Sequence, residues 1–229
     1  MATPEEALEK LKAAARPDRL EGMARYGMRT ERRLGVAVPE MRRIAKELGR
    51  DHDLARDLWR TGNAEAQIVA AMIDEPAKVT EEQMEEWVGD IDSWDVCDQV
   101  CMNLFEKTPF ALDKVGEWAE REEEFVRRAA FALIACIAWH DKEAPDERFV
   151  QLFPLIRRAA TDERNYVKKA VNWALRHIGK RNAALNREAL SLAREIRVID
   201  SRAARWIAAD AIRELESDAV QRRLERKKR

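Results

Sequence analysis

Trp94 and Asp98, in the run Ser93-Trp94-Asp95-Val96-Cys97-Asp98, are an indole and a carboxylate four residues apart, so on a helix they share one face. An electron-rich ring attracts a cation, and a nearby carboxylate stabilises positive charge that develops as a bond breaks, or orients a water. A structural reading stands beside this one, with Trp94 in the core and Asp98 capping a helix or pairing with an Arg. Arg127 and Arg128, in Phe125-Val126-Arg127-Arg128-Ala129-Ala130, sit at an expected helix start. One of them turned inward would grip phosphate; the alternative is a solvated helix end paired with Glu122–Glu124. Lys169, Trp173 and Arg176 fall at i, i+4 and i+7, a face of cation, ring and cation such as nucleic-acid surfaces carry. Arg202 and Trp206 repeat the i, i+4 spacing, which also suits a Trp packed beneath a basic side-chain stem.

Other chemistries find little to work with. His52, His140 and His177 are far apart, and Cys97 and Cys101 have no second pair nearby, so no metal site is expected. A glycine-rich phosphate loop, a nucleophile elbow and a dinucleotide fingerprint are all missing, which argues against a nucleotide cofactor or a nucleotide-driven enzyme. Three cysteines in 229 residues make no disulfide framework, and no run approaches the ~18 apolar residues of a membrane span. A reducing, cytoplasmic setting away from membranes follows as the expectation. Trp59, Trp87, Trp118 and Trp139 lack a charged partner at helical spacing and are assigned to the core.

The elements that carry these residues read as helices throughout. Only 8 Gly and 7 Pro give too little punctuation for a sheet protein. Thr3-Pro4-Glu5-Glu6, Thr80-Glu81-Glu82-Gln83 and Thr161-Asp162-Glu163 read as helix starts, and Thr108-Pro109 and Ala144-Pro145 as breaks. Apolar residues recur at three and four, as in Leu54 and Leu58 or Leu185, Ala189, Leu192 and Ile196. The segments beginning at Val126, Val167 and Ser201 share a scheme of basic residues, a small residue and an apolar helix, at offsets near forty residues. An all-α fold, an α-solenoid of stacked HEAT-like repeats with a concave basic face, is the expectation. Glu120–Glu124 reads as an acidic loop rather than a hinge, so residues 1–229 are taken as a single domain, with residues 222–229 a frayed basic end.

Charge is unevenly spread. Lys and Arg number 14 against 11 Asp and Glu in residues 1–61, 4 against 18 in residues 62–124, and 24 against 14 in residues 125–229. A basic C-terminal half beside an acidic middle suggests one surface for a polyanion and another that stays solvated. Of the 42 basic residues 30 are Arg, whose planar fork suits phosphate, although a GC-rich genome would give the same bias.

Taken in order, Met23-Ala24-Arg25-Tyr26, Gly35-Val36-Ala37-Val38-Pro39, the Trp94 to Asp98 run, Arg127-Arg128-Ala129-Ala130 and Lys168-Lys169-Ala170-Val171-Asn172-Trp173-Ala174-Leu175-Arg176 resemble the AlkD-like DNA alkylation repair family. The similarity runs from about residue 20 to about residue 215. It implies a HEAT-like repeat glycosylase that acts on cationic N3- and N7-alkylated purines in double-stranded DNA without extruding the base, and that uses no cofactor. By this resemblance Trp94, Asp98 and Trp173 are catalytic, and Arg128 and Tyr26 line the DNA site. Arg127, Lys169, Arg176 and Arg202 would then contact DNA. The chain departs from one close family member at Ser93, where that member has a second Trp, and from the family at Lys168, where Gln is the pattern. A monomer is expected. Two alternatives remain open: a DNA-binding solenoid without catalysis, and a protein-interaction scaffold suggested by the acidic stretch at residues 62–124.

Overall fold

The computed structural model describes residues 2–227. Among them are fifteen α-helices and no strand: Pro4–Ala13 (α1), Leu20–Arg25 (α2), Val38–Leu48 (α3), His52–Arg60 (α4), Ala64–Ile73 (α5), Glu81–Asp90 (α6), Trp94–Asn103 (α7), Ala111–Ala119 (α8), Glu124–His140 (α9), Asp146–Val150 (α10), Phe153–Ala159 (α11), Asn165–Gly179 (α12), Ala183–Arg197 (α13), Arg202–Leu215 (α14) and Asp218–Lys227 (α15). Contacts gather into two compact units, Met1–Ala111 and Leu112–Arg229, although the sequence carries no linker between them.

In the first unit α5 is the hub. It packs on α3, α4 and α7, and because it is apolar on nearly every side, almost all of it is buried. Thr3 closes a capping box with Glu6, and Thr80 accepts from the Gln83 N–H, both at starts legible in the sequence. Trp59 and Trp87 stack with centroids 4.1 Å apart and planes 3° from parallel, as core residues. The fully buried Glu65 carboxylate accepts from the backbone N–H groups of Leu34, Gly35 and Val36 at 3.1, 2.8 and 3.3 Å. That cradle requires Gly35, whose φ is +78° and whose added Cβ would lie 2.2 Å from the Arg16 carbonyl oxygen.

In the second unit α12 packs against α9, α11, α13 and α14. Successive repeats are tied at an interval close to the one seen in the sequence. Arg128 donates to the Tyr166 carbonyl at 2.7 Å, Asn172 to Asp210 at 2.6 Å, and Arg176 to Glu214. The N-termini of α12 and α14 receive acceptors from the preceding repeat: Glu124 takes the Tyr166 N–H, and Glu163 takes the Ser201 hydroxyl and the Ala203 N–H.

Three expectations change here. Thr161-Asp162-Glu163 does not cap a helix: the Thr161 hydroxyl donates to the Arg158 carbonyl, and Asp162 is taken by Arg127 and Arg164, so α12 begins only at Asn165. The basic end is helical through Lys227, because Val220 and Leu224, four apart, bury an apolar face; Lys228 and Arg229 lie outside the described residues. Trp139, placed in the core from sequence, is 45% exposed at the end of α9.

Candidate functional site

In the first unit the site is built on α7. Trp94 is its first residue and Asp98 lies one turn on, both half-buried. The Trp94 indole N–H donates to the Tyr26 carbonyl at 3.1 Å, which fixes the ring against the end of α2. The Tyr26 ring itself is 77% exposed. So the structure brings Tyr26 and Trp94 together, through the tyrosine backbone.

What holds the start of α7 is a cluster that sequence reasoning missed. The buried Arg33 guanidinium grips Asp95 with two hydrogen bonds of 2.8 and 2.6 Å, donates to the Ser93 hydroxyl at 3.1 Å, and donates through Nε to the Arg29 carbonyl. The Ser93 hydroxyl donates to Asp95 at 2.6 Å. Ser93 occupies the N-cap position without capping, since its hydroxyl is committed to Asp95 and Arg33. This gives a physical role to Ser93, the position at which the chain departs from the resembled family member. The Ser-x-Asp spacing at a helix start was the available signal; Arg33, about sixty residues earlier, gave none.

In the second unit the candidates fall into two sets. Arg127 pairs with Asp162 at 3.1 Å, and Arg176 pairs with Asp210 at 3.3 Å and with Glu214. Burial raises the Asp162 carboxyl, but hydrogen bonds from Arg164 and Arg127 outweigh it and hold the group below its usual range. Glu214 is likewise lowered by Lys180 and Arg176 against the opposing effect of burial. Arg128 is turned inward, 5% exposed, with one donor on the Tyr166 carbonyl. By contrast Lys169 and Arg202 are exposed; Arg202 is within 3.9 Å of Glu163.

Trp173 is half-buried and meets His177 edge-on at 5.7 Å, one turn along α12. Burial, with the nearby Lys180 and Arg176, pushes the His177 pKa down to about 3, so its ring is neutral at physiological pH. Lys168, where the family pattern has Gln, sets its ammonium 5.6 Å from the centre of the Trp206 ring, so the partner of Trp206 is this lysine of the preceding repeat. Among the described residues no group of three His, Cys, Asp or Glu is arranged to hold a metal ion, and no helix is long and apolar enough to cross a membrane. Cys97, Cys101 and Cys136 are buried and form no disulfide.

These helix pairs, tied one to the next at near-forty-residue steps, define an α-helical repeat protein of the HEAT-like kind. Residues 7–215 match the DNA alkylation repair enzyme family, and the chain belongs to it. Among solved structures, a member of a family related to the HEAT-like repeat DNA glycosylases with affinity for branched DNA structures superposes with a TM-score of 0.78 at 18% identity, over 93% of this chain and 95% of that one. An engineered protein (TM-score 0.45, 16% identity, 94% and 99% covered) and a designed armadillo repeat protein (0.36, 13%, 78% and 92%) superpose less well. No curated protein matches the sequence.

Proposed function

We propose that this protein is a monofunctional DNA glycosylase that hydrolyses the N-glycosidic bond of cationic N3- or N7-alkylated purines in duplex DNA, leaving the base within the helix. The observation that carries this reading is the Trp94 indole held by the Tyr26 carbonyl on the helix that presents Asp98 one turn away. An alkylated purine already bears positive charge, so its departure needs no acid. As the bond from C1′ to the purine nitrogen breaks, its electron pair neutralises the base, and positive charge passes to the sugar. Water then adds to C1′ and releases a proton. Asp98 stabilises the oxocarbenium-like sugar and orients that water, while the face of Trp94 attracts the developing cation.

Neutralising phosphate falls to Lys169 and Arg202, which are exposed. Arg128, buried and held by the Tyr166 carbonyl, is assigned to the joint between repeats. Arg127 and Arg176 are assigned to holding the second unit together, because carboxylates of the next repeat already occupy them. We take the enzyme to act as a cytoplasmic monomer without a cofactor.

The test is incubation with duplex DNA carrying N7-methylguanine. Released base that falls about 10²–10³-fold in Asp98→Asn, with binding to undamaged duplex kept, supports the assignment. A second reading, DNA binding without hydrolysis, is favoured by the neighbour with affinity for branched DNA structures. Salt-dependent binding with no base released would establish that reading and overturn the first.

A further inference from the structure

The ends of α9 and α12 enclose a cavity of about 500 Å³ that none of the residues assigned to the chemistry lines. Its wall carries Lys142, Lys180, Arg181 and Arg223 against one carboxylate, Asp146, which is itself held by the Asn182 amide. Lys180 shares Glu214 with Arg176, which also pairs with Asp210. Arg181 donates from its two terminal nitrogens to the carbonyls of Ala138, Asp141 and Ala144 and feels the carboxylates of Asp146 and Asp141, while Lys142 donates to the Trp139 carbonyl. The crowding is felt locally: burial, then the charges of Arg181 and Arg223, press the Lys142 ammonium below its ordinary pKa. The cavity is therefore electropositive, and an anion would relieve it.

The wall also carries two aromatic rings, Trp139 and His177. Trp139 stacks on His140 with centroids 4.9 Å apart and planes 20° from parallel, and His177 meets Trp139 edge-on at 5.6 Å. With the 5.7 Å contact of His177 to Trp173, four rings run in sequence from Trp173 to the rim of the cavity. Trp139 keeps 45% of its surface exposed there. Bases in a duplex have their faces covered by neighbouring pairs, so an open indole at a phosphate-sized concentration of charge suits a base that is unpaired.

We propose that this cavity is a second nucleic-acid site, one that takes an unpaired nucleotide of a DNA strand. The phosphate sits among Lys142, Lys180 and Arg223, and the base lies against the Trp139 ring. A volume near 500 Å³ accommodates a ligand of this size. The inference rests on the reading that the protein binds DNA, and it adds a preference for strand ends, gaps or overhangs beside the lesion site.

Affinity would be measured at fixed salt for a blunt duplex, the same duplex with a four-nucleotide single-stranded overhang, the single strand alone, and thymidine monophosphate. The intact protein should prefer the overhang to the blunt duplex. Trp139→Ala should bind overhang and single strand about 5- to 100-fold more weakly while holding the blunt duplex within about twofold. Arg223→Ala, on the exposed face of α15, should lower the salt slope for the single strand by about 0.7. Unchanged overhang affinity in both variants overturns the site, and so does monophosphate binding as tight as that of the strand, which would make the cavity a pocket for free nucleotides. Release of N7-methylguanine is followed in the same samples. Normal release with unchanged overhang binding removes this site alone, whereas absent release in the unsubstituted protein removes the glycosylase reading and leaves the overhang comparison intact.

Discussion

Asp95→Asn removes one negative charge and almost no volume, and it tests whether the Arg33 cluster positions Trp94. The Arg33 side chain is 2% exposed and that of Asp95 16%, and the pair is joined by two hydrogen bonds. Losing the carboxylate leaves a guanidinium buried without a counter-charge, since its other contacts are the Ser93 hydroxyl and the Arg29 carbonyl. Breaking a buried pair from one side costs about 3–5 kcal/mol, and the partial exposure of Asp95 places this case near the lower end, at about 3 kcal/mol. For a chain of this length that corresponds to a melting temperature about 6–12 °C lower. Base release should fall further than the loss of folded protein explains, because the segment ending at Arg33 also brings the Tyr26 carbonyl to the Trp94 indole. Replacing both partners with apolar residues, Arg33→Met with Asp95→Leu, should restore most of the stability without restoring the cluster's control of the helix start. Calorimetry and the N7-methylguanine assay on the same preparations decide it. A single variant that melts within about 2 °C of the parent would refute the claim that a buried ion pair fastens α7.

Two further outcomes follow from the second unit. His177 is held neutral down to about pH 3, whereas an unfolded chain would bind a proton near the usual histidine value of 6.5; its contribution is therefore complete above pH 6.5 and is lost as pH falls toward 3, amounting to roughly 3–5 kcal/mol. His177→Gln should remove that component from the stability difference measured between pH 7 and pH 4 by urea titration; an unaltered difference would count against burial of the neutral ring. Lys169→Ala should lower the salt slope of duplex binding by about one unit, whereas Arg176→Ala should leave the slope alone and lower the melting temperature, a contrast that vanishes if both residues meet phosphate.

The sequence disclosed most where the physics is local. Thr3 and Thr80 cap helices because their partners are three residues away. The i, i+4 spacing of Trp94 and Asp98 puts them on one helix face, and the repeat interval is visible because the ties of Arg128, Asn172 and Arg176 to the next repeat reuse it. It disclosed least where a group could choose between a local and a distant partner. Thr161 and Asp162 look like a cap in sequence, yet Arg127, 35 residues earlier, competes for the same carboxylate. Arg33 and Asp95 are 62 residues apart, and no periodicity links them. Trp139 was assigned to the core because nothing in the sequence shows that it stands exposed at the end of α9 against His177 of α12.

The arginine content is also a weaker signal of nucleic acid than its abundance suggests. A planar fork that serves phosphate serves a carboxylate or a pair of carbonyls equally well, and a stack of helices has many of both at each junction. Arg127 and Arg176 reach carboxylates of the next repeat; Arg128 and Arg181 reach carbonyls about forty residues away. Each such tie converts a basic residue from a potential DNA contact into a joint. The Lys and Arg surplus of residues 125–229 therefore overstates the electrostatics available to a duplex. Binding should instead vary with the cations that stand on the exposed surface, Lys169 and Arg202 among them.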